Sequence, residues 1–120
     1  MIKIIIHDYA GHPFQLELSK KLSKKFIVYH YYYQNDYGPK ADFKDNDNNR
    51  LNIKGIGKTI SYNKNKFLKR FFKDIEYGKE LSQHISEINP DVVISGNCPT
   101  LAQEYIMKSC QKNNSKFVIW

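Results

Sequence analysis

MIKIIIHDYAGHP, residues 1–13, sets the architecture. The run IKIIIH at 2–7 is β-branched almost throughout, with no polar alternation. Such a run suits a strand buried on both faces, as in a parallel sheet. YAGHP then turns the chain, Gly11 supplying backbone freedom and Pro13 suiting the first turn of a helix. Phe14, Leu18 and Leu22 follow at i, i+4 and i+8, one face of a helix predicted to end near Lys25. Its other face carries Lys20, Lys21 and Lys24. A two-sided strand feeding directly into a helix opens a β-α unit of a sheet covered on both sides.

The rest of the chain repeats that unit. FIVYHYYY at 26–33 reads as a second strand. Residues 34–50 are polar and contain Gly38-Pro39 and DNDNNR, a long connection. LNIKGIGKTISY at 51–62 carries a short third strand. Residues 66–88 form the strongest helix, with Leu68, Phe71 or Phe72, Ile75, Leu81, Ile85 and Ile88 on its predicted stripe. Asn89-Pro90 stops it, because the residue before a proline is pushed out of the helical region. DVVIS at 91–95 is a buried fourth strand. Gly96-Asn97-Cys98-Pro99 leads into a helix with Ala102, Ile106 and Cys110 on one face, and KFVIW at 116–120 is the fifth strand. The order β-α-β-β-α-β-α-β predicts an α/β, Rossmann-like, three-layer α/β/α domain with a mostly parallel sheet of about five strands. A topological switch point falls between strands one and four, and ligands of such sheets bind beyond the carboxyl ends of the strands. The turns that matter are therefore 7–13 and 95–99.

Composition narrows the function. The 120 residues are 41% hydrophobic and carry a net charge of +7, enough apolar content for one globular domain and too much for a disordered chain. No apolar run approaches the length of a spanning helix, and the first twelve residues are too polar for a signal-peptide core. Cys98 and Cys110 form no disulfide framework, and no Cys/His cluster has metal-ligand spacing, so no metal and no cofactor are expected. The reading is a cytoplasmic protein. The positive charge fits an anionic partner such as a phosphorylated substrate or an anionic lipid surface; a lysine- and asparagine-rich composition fits it equally.

In the first turn, backbone N–H groups at a helix start attract phosphate or carboxylate. It is neither GxGxxG nor a Walker loop. Gly11 and His12 are the candidate contacts, set against a plain strand-to-helix turn. His7 and Asp8 lie close by; His7 reads equally as an acid-base group and as a hydrogen-bonded histidine ending a buried strand. His30 and His84 read as structural or solvated. In the second turn Asn97 and Thr100 could bond sugar hydroxyls or phosphate oxygens, or cap the helix. Cys98 stands next to a helix start, which favours thiolate, but no base accompanies it. Residues 64–73, KNKFLKRFFK, interleave cations and aromatics. Lys66, Lys69, Arg70 and Lys73 suit an anionic membrane surface with phenylalanines inserted. The competing reading is ordinary amphipathicity, with Leu68 and one phenylalanine in the core. No nucleic-acid motif supports a nucleic-acid partner.

HDYAGHPFQLELSKKL, NKFLKRFFKDIEYGKEL, NPDVVISGNCPTLAQ and FVIW together resemble the amino-terminal domain of GT-B glycosyltransferases. The likeness is to glycosyltransferase family 4 members of exopolysaccharide, colanic acid and O-antigen assembly. It covers nearly the whole chain in register, residues 34–63 matching poorly. It implies that residues 1–120 form a single Rossmann-like, acceptor-side half of a GT-B fold. In that family the donor-binding carboxy-terminal domain holds the nucleotide-sugar, and chemistry occurs in the cleft between domains with retention of configuration. It further implies that Gly11 and His12 approach the reacting phosphates and that residues 97–99 face the cleft. The acceptor is typically a lipid-linked saccharide. The family's donor domain has no counterpart up to Trp120, so this chain alone is expected to be inactive and to need that half in cis or in trans. The expected location is the inner face of the cytoplasmic membrane, held peripherally. A stand-alone Rossmann-like binding or scaffold module without catalysis is the alternative.

Overall fold

Three consecutive isoleucines, Ile4, Ile5 and Ile6, are all buried, because the strand that carries them is the middle of a sheet with helices on both faces. The computed structural model describes residues 1–34, 49–57, 66–96 and 98–120, the side chains of Lys66 and Phe67 excepted. The elements are β1 (Lys3–Asp8), α1 (Pro13–Leu22), β2 (Ile27–Tyr33), β3 (Leu51–Ile56), α2 (Lys66–Ile88), β4 (Val92–Gly96), α3 (Thr100–Lys112) and β5 (Lys116–Ile119). The sheet runs β3-β2-β1-β4-β5 and each of its four pairings is parallel. This is the Rossmann-like α/β architecture that the sequence predicts, with the order reversing direction between β1 and β4.

Alternation along the strands splits the core in two. Ile5, Tyr31, Tyr33, Ile56 and Val93 face α2 and α3, meeting Tyr77, Leu81, Ile85, Ala102, Ile106 and Cys110. Ile4, Ile6, Val28 and Leu51 face the other way, toward Leu18, Leu22 and Phe26 around α1. α2 and α3 approach closely at Gly78. A Cβ there would lie 3.0 Å from the Cα and carbonyl oxygen of Ala102 and from the Cβ of Tyr105.

Three expectations need correction. α1 ends at Leu22 rather than Lys25, because Ser23 closes it: its N–H donates to the Ser19 carbonyl and its hydroxyl to the Lys20 carbonyl at 2.8 Å. The buried side of α1 is Gln15, Leu16 and Ser19; Phe14, expected inward, is 50% exposed in the first turn. On α2 the buried stripe is Tyr77, Leu81 and Ile85, whereas Leu68, Phe71 and Phe72 are exposed. The Tyr9 hydroxyl donates to Asp74 Oδ1 at 3.0 Å, so α2 is already level with the carboxyl ends of the strands at residue 74. Residues 66–73 are two further turns, about 12 Å of helix, which overhang the sheet. The predicted strand residues beyond Gly57, and the connection 35–48, lie outside the described residues.

Candidate functional site

Asp8 and Gly96, the last residues of β1 and β4, are register partners. The turns that follow them therefore leave the sheet side by side at the carboxyl end. They diverge to opposite faces, α1 taking one and α3 the other, at the reversal of strand order where open parallel sheets have the crevice that binds ligands.

The β1 turn is built from its own residues. The buried Asp8 carboxylate accepts the Ala10 N–H at 3.1 Å and also the His12 N–H. Gly11 takes φ 75°, a region open to glycine and strained for other residues. Asp8 thus clamps the turn rather than presenting a free carboxylate. His12 is the N-cap of α1 without a side-chain capping bond, and Pro13 stands at its start as predicted. The first turn of α1 holds no acidic side chain. The His12 ring stacks on Phe14, centroids 5.4 Å apart.

Beneath this turn the structure adds a residue that sequence reasoning missed. Gln15 is fully buried, and neither Oε1 nor Nε2 has a hydrogen-bond partner. Its amide lies against Gly96: a Cβ on that glycine would sit 2.6 Å from Nε2. The glycine makes room for the amide across the crevice. Burying an amide without partners costs about 1–3 kcal/mol, so this unsatisfied amide, enclosed between the two turns, marks the place as unusual.

The opposite wall is aromatic and inert toward protons. His7 is buried with Nδ1 3.1 Å from the Tyr77 hydroxyl. Burial, then the neighbouring His30, pushes its pKa down to about 3. Of its two sequence readings, the structure fits the hydrogen-bonded histidine. Tyr9 stacks on Tyr33 at 4.9 Å and meets Tyr77 edge-on at 5.1 Å; burial and the adjoining Asp74 raise its phenol. The buried Ser95 hydroxyl accepts from Gln103 Nε2 at 3.4 Å. Cys98 reverses its expectation: burial, then Asp74, pushes its thiol up to about 12. The helix start does not outweigh desolvation there. His30, as expected, is structural, its Nδ1 2.7 Å from the Ser19 hydroxyl; His84 stacks on Tyr31.

Of the predicted contacts, Gly11 and His12 line the β1 side of the crevice. Thr100 is the exposed first residue of α3, whose N-cap is Pro99, so Thr100 does not cap that helix. Asn97 lies outside the described residues, as does the Lys66 side chain. Lys69, Arg70 and Lys73 occupy the α2 overhang, Arg70 near enough to act on the Tyr9 phenol. Leu68 (63% exposed) and Phe72 (61%) stand among them. Among the described residues no helix is long and apolar enough to cross a membrane, and no three His, Cys, Asp or Glu residues are grouped to hold a metal ion. An open depression lined by Asn89, Pro90, Asp91 and Asn113 lies at the far, amino end of the sheet.

No family model matches this sequence, and no curated protein matches it. Among solved structures the chain is similar to the C-terminal domain of a hydrogenase from Pyrococcus furiosus. The identity is 10% and the TM-score 0.74, over 99% of this chain and 91% of that one. A second structure of that domain aligns at 14% identity and TM-score 0.64, over 98% and 89% of the two chains. Identities this low show a shared fold and nothing further.

Proposed function

We propose that this chain is the acceptor-side half of a glycosyltransferase that moves a sugar from a nucleotide-sugar to a lipid-linked saccharide in surface polysaccharide synthesis. The observation that carries the reading is the juxtaposition of the β1 and β4 turns at the carboxyl end of the sheet. The two segments most like the glycosyltransferases, DYAGHPFQ and SGNCP, leave adjacent strands at the same edge. An unpartnered buried amide, Gln15, lies between them. In this reading Gly11 lets the diphosphate approach the backbone, His12 and the start of α1 supply donors, and Asn97 and Thr100 meet sugar hydroxyls.

The α2 overhang supports the lipid-linked acceptor. Leu68, Phe71 and Phe72 project with Lys69, Arg70 and Lys73 past the same end of the sheet as the crevice. Apolar residues ringed by cations suit the headgroup boundary of an anionic membrane. Docked this way, the crevice opens toward the surface that displays the acceptor.

The test is co-expression with a donor-binding half, followed by transfer from nucleotide-sugars to a polyprenyl-diphosphate-linked monosaccharide. Transfer that Gly11→Val or Gln15→Leu lowers by tenfold or more (on the order of 1.4 kcal/mol), with folding retained, is the expected result. Acceptor binding without turnover in any pairing assigns the chain to a binding or scaffold module instead. No binding to the lipid-linked sugar overturns both.

A further inference from the structure

The inward stripe of α2 does not stop where the apolar residues do. Tyr77, Leu81 and Ile85 are buried against the strands. Stepping back along that stripe by three and four residues gives Asp74 and then Arg70, so both lie on the sheet side of the helix. The exposed Leu68 and Phe72 lie off it. Arg70 adds its charge to the overhang, yet its position on the helix sets it over the β1 turn.

Asp74 is only 9% exposed. Among the described residues its carboxylate accepts one hydrogen bond, from the Tyr9 hydroxyl to Oδ1 at 3.0 Å, and Oδ2 has no donor. A carboxylate this enclosed is ordinarily paired with a cation or held by several donors. Arg70, one turn away, has the spacing to pair with it. The ion pairs among the described residues are nevertheless Lys20–Glu17, His84–Glu87 and Lys108–Glu104. Arg70 lies near the Tyr9 phenol instead, opposing the rise that burial and Asp74 impose there. On the β4 side, Asp74 follows burial as the second influence raising the Cys98 thiol. A carboxylate oxygen and a guanidinium, about 5–6 Å apart at Cβ, thus stand with unused capacity between the two turns.

That pair is neutral as a whole, which selects the ligand. A phosphate is repelled by Asp74 and an ammonium by Arg70. A neutral group that donates to the carboxylate and accepts from the guanidinium meets neither repulsion. Each hydroxyl is one donor and two acceptors, so neighbouring hydroxyls of a sugar ring satisfy both side chains together. The half-buried Tyr9 adds an aromatic flank.

We propose that Asp74, Arg70 and Tyr9 form a saccharide-hydroxyl subsite on the α2 side of the β1 and β4 turns. Naming its occupant as the acceptor's own sugar rests on the glycosyltransferase reading; the subsite itself does not.

Titration of the isotope-labelled chain with the methyl glycosides of glucose, galactose and N-acetylglucosamine, followed by amide chemical shifts, tests it. Saturable shifts at Tyr9, Ala10 and residues 70–75 are expected, with a dissociation constant on the order of 1 mM, weak as suits one sugar ring. Asp74→Asn keeps an acceptor for Tyr9, so the fold is retained while the dissociation constant rises about tenfold. Arg70→Gln should raise it several-fold, and Lys79→Gln, exposed elsewhere on α2, should leave it unchanged. Absence of shifts with all three glycosides, or shifts indifferent to Asp74→Asn, overturns the subsite. So does inorganic phosphate binding more tightly than the glycosides at these residues, which would make Arg70 an anion contact. Glycoside binding that persists when no donor-binding half restores transfer removes the transferase and leaves the subsite standing. Transfer undiminished by Asp74→Asn, with no glycoside shift, removes the subsite alone.

Discussion

On one face of the sheet, Ile5, Tyr31, Tyr33 and Val93 lie beneath two long helices that are themselves in backbone contact at Gly78 and Ala102. On the other, Ile4, Ile6 and Val28 lie beneath α1 alone, and Val92 and Ile94 are only half-buried. The same alternating strands supply both faces, so the difference is one of cover. The doubly covered face concentrates the folding energy. The singly covered face and the overhanging end of α2 carry apolar side chains with less cover. Each face also encloses one buried histidine, His7 under Tyr77 and His30 under Ser19, and these offer the largest test of the comparison.

Burial holds His7 down to about 3 and His30 to about 4, both from an ordinary 6.5. The unfolded chain therefore binds protons before the folded one does. Stability from these groups is complete above pH 6.5 and falls as the pH drops, until the folded state is itself protonated near 4 for His30 and near 3 for His7. Each histidine contributes a slope of about 1.4 kcal/mol per pH unit in its window. Urea denaturation at a series of pH values should show His30→Asn losing about half of the combined slope of the two groups between pH 6.5 and 5, and His7→Asn about the other half. An unchanged slope in either variant would mean that face admits water to its histidine.

Core truncation separates the faces next. Leu81→Ala, fully buried between α2 and the sheet, should cost about 3–4 kcal/mol. Leu18→Ala, half-buried on α1, should cost about 1–2 kcal/mol. The measurement is the shift of the denaturant midpoint at constant m-value. Equal losses would remove the asymmetry.

The parts of this architecture that were readable from sequence follow a rule about burial. Strands β1 and β4 were visible because residues buried on both faces must be apolar throughout, as in IKIIIH and DVVIS; β2 and β5 were visible as β-branched and aromatic runs, although β5 is largely exposed. The crevice followed from strand order, since parallel strands must all end at one edge. Helix faces were less legible. Phe14, Leu68, Phe71 and Phe72 fit an apolar period as well as Leu81 and Ile85 do, but periodicity says nothing about where the sheet beneath a helix stops. Asp74 marks that limit on α2, through a bond to Tyr9 sixty-five residues away. Gln15 was hidden for the opposite reason. A polar residue on a helix reads as solvent-facing until Gly96 places the neighbouring strand end against it.

The overhang supplies the smallest effect and the sharpest separation of folding from docking. Phe72 sits beyond the strand ends and is mostly exposed, so Phe72→Ser removes little buried area and should change stability by no more than about 0.5 kcal/mol. The same substitution removes an apolar contact from the surface proposed to meet the membrane. Flotation with vesicles containing phosphatidylglycerol should therefore fall, while the urea midpoint holds. Lys69→Glu and Arg70→Glu should weaken flotation further and make the residual binding insensitive to salt, because the attraction they remove is screened over about 10 Å at ordinary ionic strength. A Phe72→Ser variant that loses 2 kcal/mol or more would show that α2 packs against the body of the protein along its whole length, and the contrast between the covered face and the free end would fail there.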